Sequence, residues 1–267
     1  MDAVAANRDL WDKRVRAHLQ FGLYPSARVE DGTYDVGEPE ISEIGDVRGL
    51  RLVHLQCNAG ADTLAWARRG AIATGVDFST EAITEARRLS SVTGVDATFV
   101  CADLYALPDD LGPFDVAYTS MGVLWWLPDL DRWAVAVARL LLPGGRFYLH
   151  EIHPISMAVT EQDGRIELTD DYYGPGEPIV FESTGTYYDA PPEFVAEPGM
   201  EHGTIHSVGD VISALAGAGL RIDRLVEHPS TTYKLHESLV WGDDGRWTFA
   251  PGRPRMPLTF SVMASRV

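Results

Sequence analysis

Two acidic residues and an unusual turn define the chemistry available to this sequence. Residues 52–79, LVHLQCNAGADTLAWARRGAIATGVDFS, read as a strand, a turn, a helix and a second strand, and the turn Gln56-Cys57-Asn58-Ala59-Gly60 holds a single glycine. Close backbone approach to a pyrophosphate needs more glycine than that, so a G-x-G-x-x-G dinucleotide site is disfavoured and a ligand without phosphates fits better. Asp77 closes the second strand about twenty residues on, placed to accept hydrogen bonds from a ribose diol, and Phe78 beside it offers an apolar face to a base. Cys101-Ala102-Asp103-Leu104 ends the third strand. There Asp103 can accept from an exocyclic amine such as adenine N6 while the Leu104 backbone N–H donates to the neighbouring ring nitrogen. An acid after the second strand also serves NAD sites, so Asp77 alone leaves an NAD-dependent oxidoreductase open.

The elements that must carry these residues alternate along the chain. Arg8 to Leu19 has Leu10, Trp11, Val15 and Leu19 at helical spacing, and Phe21 to Arg48 reads as loop with a short helix near Glu40 to Ile44. Strands are expected at 50–56, 71–77, 97–102, 114–118 and 146–152, with helices at 62–69, from Ser79 to about Val92, and at 129–142 between them. After His153 the texture changes to Gly, Pro, Tyr and acid, read as an antiparallel insertion over the sheet. A helix at 207–218 and strands at 220–227 and 257–264 close the chain. Such alternation implies an α/β fold, a doubly wound, mostly parallel seven-stranded sheet with helices on both faces. Residues 1–48 are expected to close the site, and 49–267 to form one domain with a cap at about 154–206.

Composition excludes several classes of partner. The 267 residues carry a net charge of −17, with 45% hydrophobic and 10% aromatic residues, enough for a large core and opposed to nucleic acid or an anionic membrane surface. The first residues lack a basic region followed by an apolar stretch, so a cytoplasmic location is expected. The cysteines, Cys57 and Cys101, end strands with one strand between them, roughly 9 to 10 Å apart and too far for a disulfide.

Five pieces taken in order resemble the class I S-adenosylmethionine (SAM)-dependent methyltransferases: LVHLQCNAG for the cofactor loop, GVDFS for the ribose acid, CADLYALP for the adenine acid, FDVAYTSMGVLWWLPD near the methyl group and LLLPGGRFYLHE for the fifth strand. The resemblance runs from about Gly49 to His153 and implies SAM as cofactor, held by His54, Gln56, Cys57, Asn58, Gly60, Asp77, Phe78, Asp103, Leu104, Thr119 and Ser120. Where the family has an acid and two glycines, in the pattern DLGCGTG, this chain has His54, Gln56 and Asn58. The HLQC stretch further resembles a bacterial subgroup associated with small-molecule methylation, which implies that the segment around Trp11 and Arg14 helps close the site.

Methyl transfer from a sulfonium needs an aligned nucleophile, exclusion of water and, for some acceptors, a base. Alternation along a strand puts Glu151 and His153 on one face, a base candidate with an orienting carboxylate, whereas His150 lies opposite and cannot join them on one ion, so no metal is expected. Trp11, Trp125, Trp126, Tyr172 and Tyr187 are the candidates for substrate contact, with the core-packing role of such aromatics as the rival reading. The expected reaction is methylation of an oxygen or nitrogen of a small molecule, one that is aromatic or natural-product-like, with a homodimer as the assembly left open. A SAM-binding protein with regulatory or other chemistry, and an NAD-dependent oxidoreductase, are the alternatives.

Overall fold

The computed structural model describes residues 2–162, 164–188 and 190–267. The chain begins with α1 (Ala3–Gln20), α2 (Ser26–Glu30) and α3 (Glu40–Ile44). The alternating body follows: β1 (Arg51–Leu55), α4 (Ala61–Arg68), β2 (Ile72–Asp77), α5 (Thr80–Thr93), β3 (Thr98–Cys101), β4 (Phe114–Thr119), α6 (Leu130–Leu140) and β5 (Leu141–Ile152). Two antiparallel hairpin pairs come next, β6 (Val159–Gln162) with β7 (Arg165–Leu168) and β8 (Ile179–Ser183) with β9 (Gly199–Gly203). The chain then runs through α7 (Val208–Gly217), β10 (Leu220–His228), β11 (Ser230–Thr231), β12 (Leu239–Trp241), β13 (Trp247–Phe249) and β14 (Thr259–Arg266).

The main sheet has the order β10-β14-β5-β4-β1-β2-β3, with β14 antiparallel to both neighbours and the other pairs parallel. Strand order reverses between β1 and β4, and this is the switch point at which open α/β sheets bind ligands. Alternation along β1 explains both faces. Val53 and Leu55 are buried against α6 and α7 with Trp133, Val137 and Leu215, while Leu52 packs on the opposite face with Trp66 of α4 and with Val36, Ile44 and Val47. The segment before β1 is therefore part of the core.

Local signals end the elements where the site needs them. Ser79 caps α5 by accepting from the Ala82 N–H, and Asp129 caps α6 by accepting from the Arg132 N–H. The fifth strand begins at Leu141 rather than Arg146, because Leu141 already pairs with Phe114 before a register shift carries the chain through Pro143-Gly144-Gly145. Residues 230–249 hold a three-stranded sheet, β11-β13-β12, which its short strands hid in the sequence. Cys57 and Cys101 are free, with β2 between their strands. Among the described residues no helix is long and apolar enough to cross a membrane.

Candidate functional site

A cavity of about 1620 Å³ opens at the carboxyl ends of β1 to β4, beneath α1 and the β8–β9 pair. Its floor is the turn after β1. Gln56 and Asn58 adopt left-handed backbone, φ 55° and 48°, so two non-glycine residues keep the conformation that glycines would take there most cheaply. Gly60 cannot be replaced in the same way: at φ +78° an added Cβ would sit 2.7 Å from both Ala86 and the Phe99 ring. The turn is thus held close to the sheet, leaving its outer side for a ligand.

Asp77 is the hub of this floor. Its carboxylate accepts from the Asn58 N–H at 2.8 Å and the Ser79 N–H at 2.9 Å, and burial raises it to about 6. Those two bonds use one oxygen each, so lone pairs remain for a diol. Asn58 Oδ1 accepts from Tyr24 Oη and the Ala59 N–H, both at 2.8 Å. Asp103 accepts the Tyr105 N–H through Oδ1, and it lines the cavity with Leu104 and Phe78. Gln56 donates to the Val123 carbonyl at 3.3 Å, while its Oε1 is buried without a partner among the described residues. These features, with Cys57 beneath the turn, fit a nucleoside bearing an amino-acid tail better than one bearing phosphates.

His54 stands where an acid is usual and carries no charge. Its ring nitrogens lie 2.9 Å from Thr63 Oγ1 and 3.0 Å from Ser120 Oγ, and burial lowers it to about 3. Ser120 therefore faces the cavity, whereas Thr119 does not. Thr119 is aligned with Leu55 and Leu149, which sit in the apolar layer under α6, and it is fully buried there away from the cavity.

The expected base pair of Glu151 and His153 is not assembled. Glu151 reaches the cavity wall, but its carboxylate accepts backbone N–H groups of Gly122, Val123, Leu124 and Ile152 at 2.7 to 3.0 Å. It holds the loop after β4 in place. His153 turns instead to Glu227 at 3.0 Å, accepts the Ile155 N–H and packs on Phe260, outside the cavity. Tyr172 follows it out, 6.4 Å from the His153 ring and against Tyr173. Strand alternation predicts His153 on the cavity face, but β5 ends at Ile152 and the turn at His153-Pro154 redirects its ring; Tyr172, a candidate as a cap aromatic, packs outside the cavity.

Trp11, Trp125, Trp126 and Tyr187 do line the cavity. Trp11 stands edge-on to Trp126 at 5.2 Å and lies 6.0 Å from Tyr187. Arg14 lies 5.6 Å from the Trp11 ring and 5.3 Å from the Trp126 ring, and pairs with buried Glu201 at 2.5 Å. Glu201 also accepts from Trp125 Nε1 at 2.9 Å, and the Trp125 ring packs so close to Gly203 that a Cβ there would clash. On the other side Asp12 accepts from Ser79 Oγ at 2.6 Å, so α1 bridges the cap and the start of α5.

Sequence reasoning passed over Tyr24, Tyr34, Asp62, Glu201 and Tyr233, all of which line the cavity. Asp62 lies in the first turn of α4, where an acid reads simply as a complement to the helix dipole. Glu201 sits in an alternating strand of the cap, and its partner Arg14 is 187 residues away.

Residues 53–149 match the family model described as a methyltransferase domain. A ubiquinone biosynthesis O-methyltransferase of Coxiella burnetii is 31% identical over 107 residues, 40% of this chain and 45% of that protein. One from Aeromonas salmonicida is 33% identical over 113 residues, 41% and 46% of the two chains. This chain thus spans about half the length of the curated relatives it matches. A SAM-dependent methyltransferase structure from Mesorhizobium loti superposes with a TM-score of 0.56 at 26% identity, covering 83% of this chain and 93% of its own. One from Methanosarcina mazei has a TM-score of 0.56 at 18% identity, covering 88% and 99%, a likeness of fold. Residues 53–149 are thus similar to a methyltransferase domain, and the sheet that contains them has the fold of SAM-dependent methyltransferases.

Proposed function

We propose that this protein transfers a methyl group from SAM to an oxygen or nitrogen of a small-molecule acceptor. The observation that carries the reading is a single cavity joining the nucleoside-binding strand ends, Asp77 and Asp103, to an aromatic chamber of Trp11, Trp126, Tyr187 and Tyr233. The HLQC stretch and the O-methyltransferase names of its curated relatives support a small molecule as acceptor.

SAM supplies a methyl carbon already activated by positive sulfur. The chain's own contribution is position: Asp77 and Asp103 would hold the nucleoside, the loop clamped by Glu151 shapes the cavity wall, and α1 with the cap would exclude water. Aromatic faces around the cavity suit the sulfonium by cation–π attraction. Among the described residues no histidine of the cavity is hydrogen-bonded to a carboxylate: His54 is held neutral by burial and His206 Nε2–H donates to the Leu127 carbonyl at 2.7 Å. Orientation rather than general base catalysis then supplies most of the rate.

Titration calorimetry with SAM, S-adenosylhomocysteine and NAD tests the cofactor. Micromolar binding of the first two without NAD is expected. NAD binding that D77A weakens, with no SAM binding, would sink the reading. Mass spectrometry of acceptor libraries incubated with labelled SAM then tests transfer.

A further inference from the structure

Part of the cavity lining is a lobe of carboxylates and phenols, Tyr34, Glu40, Asp62, Tyr118 and Tyr233, gathered around Asp62. At its base the Asp62 carboxylate accepts from Tyr34 Oη at 2.5 Å and Tyr118 Oη at 3.4 Å. Its partners are neutral phenols. No ion pair joins Asp62 to a cation among the described residues. The lysine at the lobe, Lys234, is taken by Glu237 at 2.6 Å, and Arg28 at the rim lies over the Tyr34 ring rather than on an acid. Glu40 sits 2.7 Å from His150 Nδ1 on the sheet side. Tyr233 faces the lobe, and its hydroxyl has no hydrogen-bond partner among the described residues.

The lobe's own phenols report its electrostatics. Desolvation of its hydroxyl, the neighbouring Tyr188 and the charges of Asp62, Glu151 and Glu40 push Tyr233 above the ordinary phenol range. Burial and the Asp62 charge push Tyr34 and Tyr118 upward as well. A phenol acceptor here would meet the same resistance to losing its proton, since a second negative charge beside carboxylates is disfavoured. An ammonium meets the reverse: carboxylate and phenol oxygens to accept its N–H groups, and ring faces to attract its charge.

We propose that this lobe binds the ammonium group of a cationic amine acceptor, with Asp62, held by Tyr34 and Tyr118, as its principal partner and the unpaired Tyr233 hydroxyl as a second. The proposal rests on the methyl-transfer reading and names the acceptor class for it, independently of which acceptor atom is methylated.

The test uses the full chain saturated with S-adenosylhomocysteine, titrated at pH 7 with benzylamine against benzyl alcohol and with tyramine against tyrosol. Each amine is expected to bind at least tenfold tighter than its alcohol, with the preference shrinking as salt rises. D62N is expected to bring the preference within threefold while leaving S-adenosylhomocysteine affinity within threefold, and Y233F to weaken the amines threefold or more. Equal affinity within a pair, or no binding of either member, overturns the proposal. So does a D62N protein that keeps the amine preference, or one that loses the cofactor product tenfold, which would assign Asp62 to the cofactor's own ammonium. A wild-type chain that fails to bind S-adenosylhomocysteine at all sinks the methyl-transfer reading instead, in a titration made before any amine is added.

Discussion

The Glu151 carboxylate accepts the Val123 backbone N–H at 2.8 Å, so the end of β5 grips the loop after β4 from inside the sheet. Four N–H groups of residues 122–124 and 152 converge on this one side chain. A carboxylate so occupied is a clamp, and burial of its charge, which raises it above the usual range, is compensated by those donors.

Glu151 variants should separate a clamp from a base. E151A leaves buried donors unmet and is expected to lose about 2–4 kcal/mol of stability and over a hundredfold in kcat. E151Q keeps one acceptor oxygen and is expected to retain kcat within tenfold. Single-turnover kinetics and urea unfolding check both, and equal loss in the two variants would return Glu151 to the role of base.

Because His153 points to Glu227 outside the cavity, H153A should leave kcat and KM within threefold of the wild type. Initial rates at saturating SAM decide this. A loss of a hundredfold would place the imidazole in the reaction.

Cofactor affinity should depend on pH through Asp77. Burial is the largest cause raising this carboxyl to about 6, with the Asp12 charge adding to it. Below that pH Asp77 is protonated in the free protein and loses its charge-assisted acceptor strength; above it the carboxylate is present. The affinity for S-adenosylhomocysteine is therefore expected to fall about tenfold per unit as pH drops below 6 and to level off above 7. Calorimetry from pH 5 to 8 measures it, and D77N should flatten the slope.

The turn after β1 makes opposite demands on two residues. G60A combines a positive φ with a Cβ 2.7 Å from Ala86 and Phe99, and is expected to cost about 2–4 kcal/mol. Q56G relieves a left-handed backbone and should change stability by less than about 1 kcal/mol. Denaturant midpoints of the two variants test the contrast.

Removing Arg14 should strand a buried charge. Among the described residues, R14M leaves Glu201 paired only to Trp125 Nε1 and is expected to cost about 3–5 kcal/mol, whereas R14M/E201L, which removes both charges, should cost less. Urea unfolding of the single and double variants is the check. The single variant should also loosen Trp11 and Trp126, visible in tryptophan fluorescence.

Much of the architecture was written in local pattern. Alternating apolar runs and capped amphipathic stretches sufficed for the seven strands of the main sheet and its long helices, because burial on both faces of a parallel sheet imposes those periods on the residues themselves. The same logic located Asp77 and Asp103 at strand ends, and the helix near Glu40 to Ile44. Only the tertiary structure decided which neighbours share the cavity. Thr119 and Ser120 are adjacent, yet one faces apolar packing and the other the cavity. His153 lies just past its strand, where alternation no longer governs direction. Asp62 meets Tyr34 and Tyr118, and Arg14 meets Glu201, across 28, 56 and 187 residues of chain. Periodicity governs which way a residue faces within one element, whereas contacts between elements depend on how whole surfaces pack, and no short window of sequence contains that information.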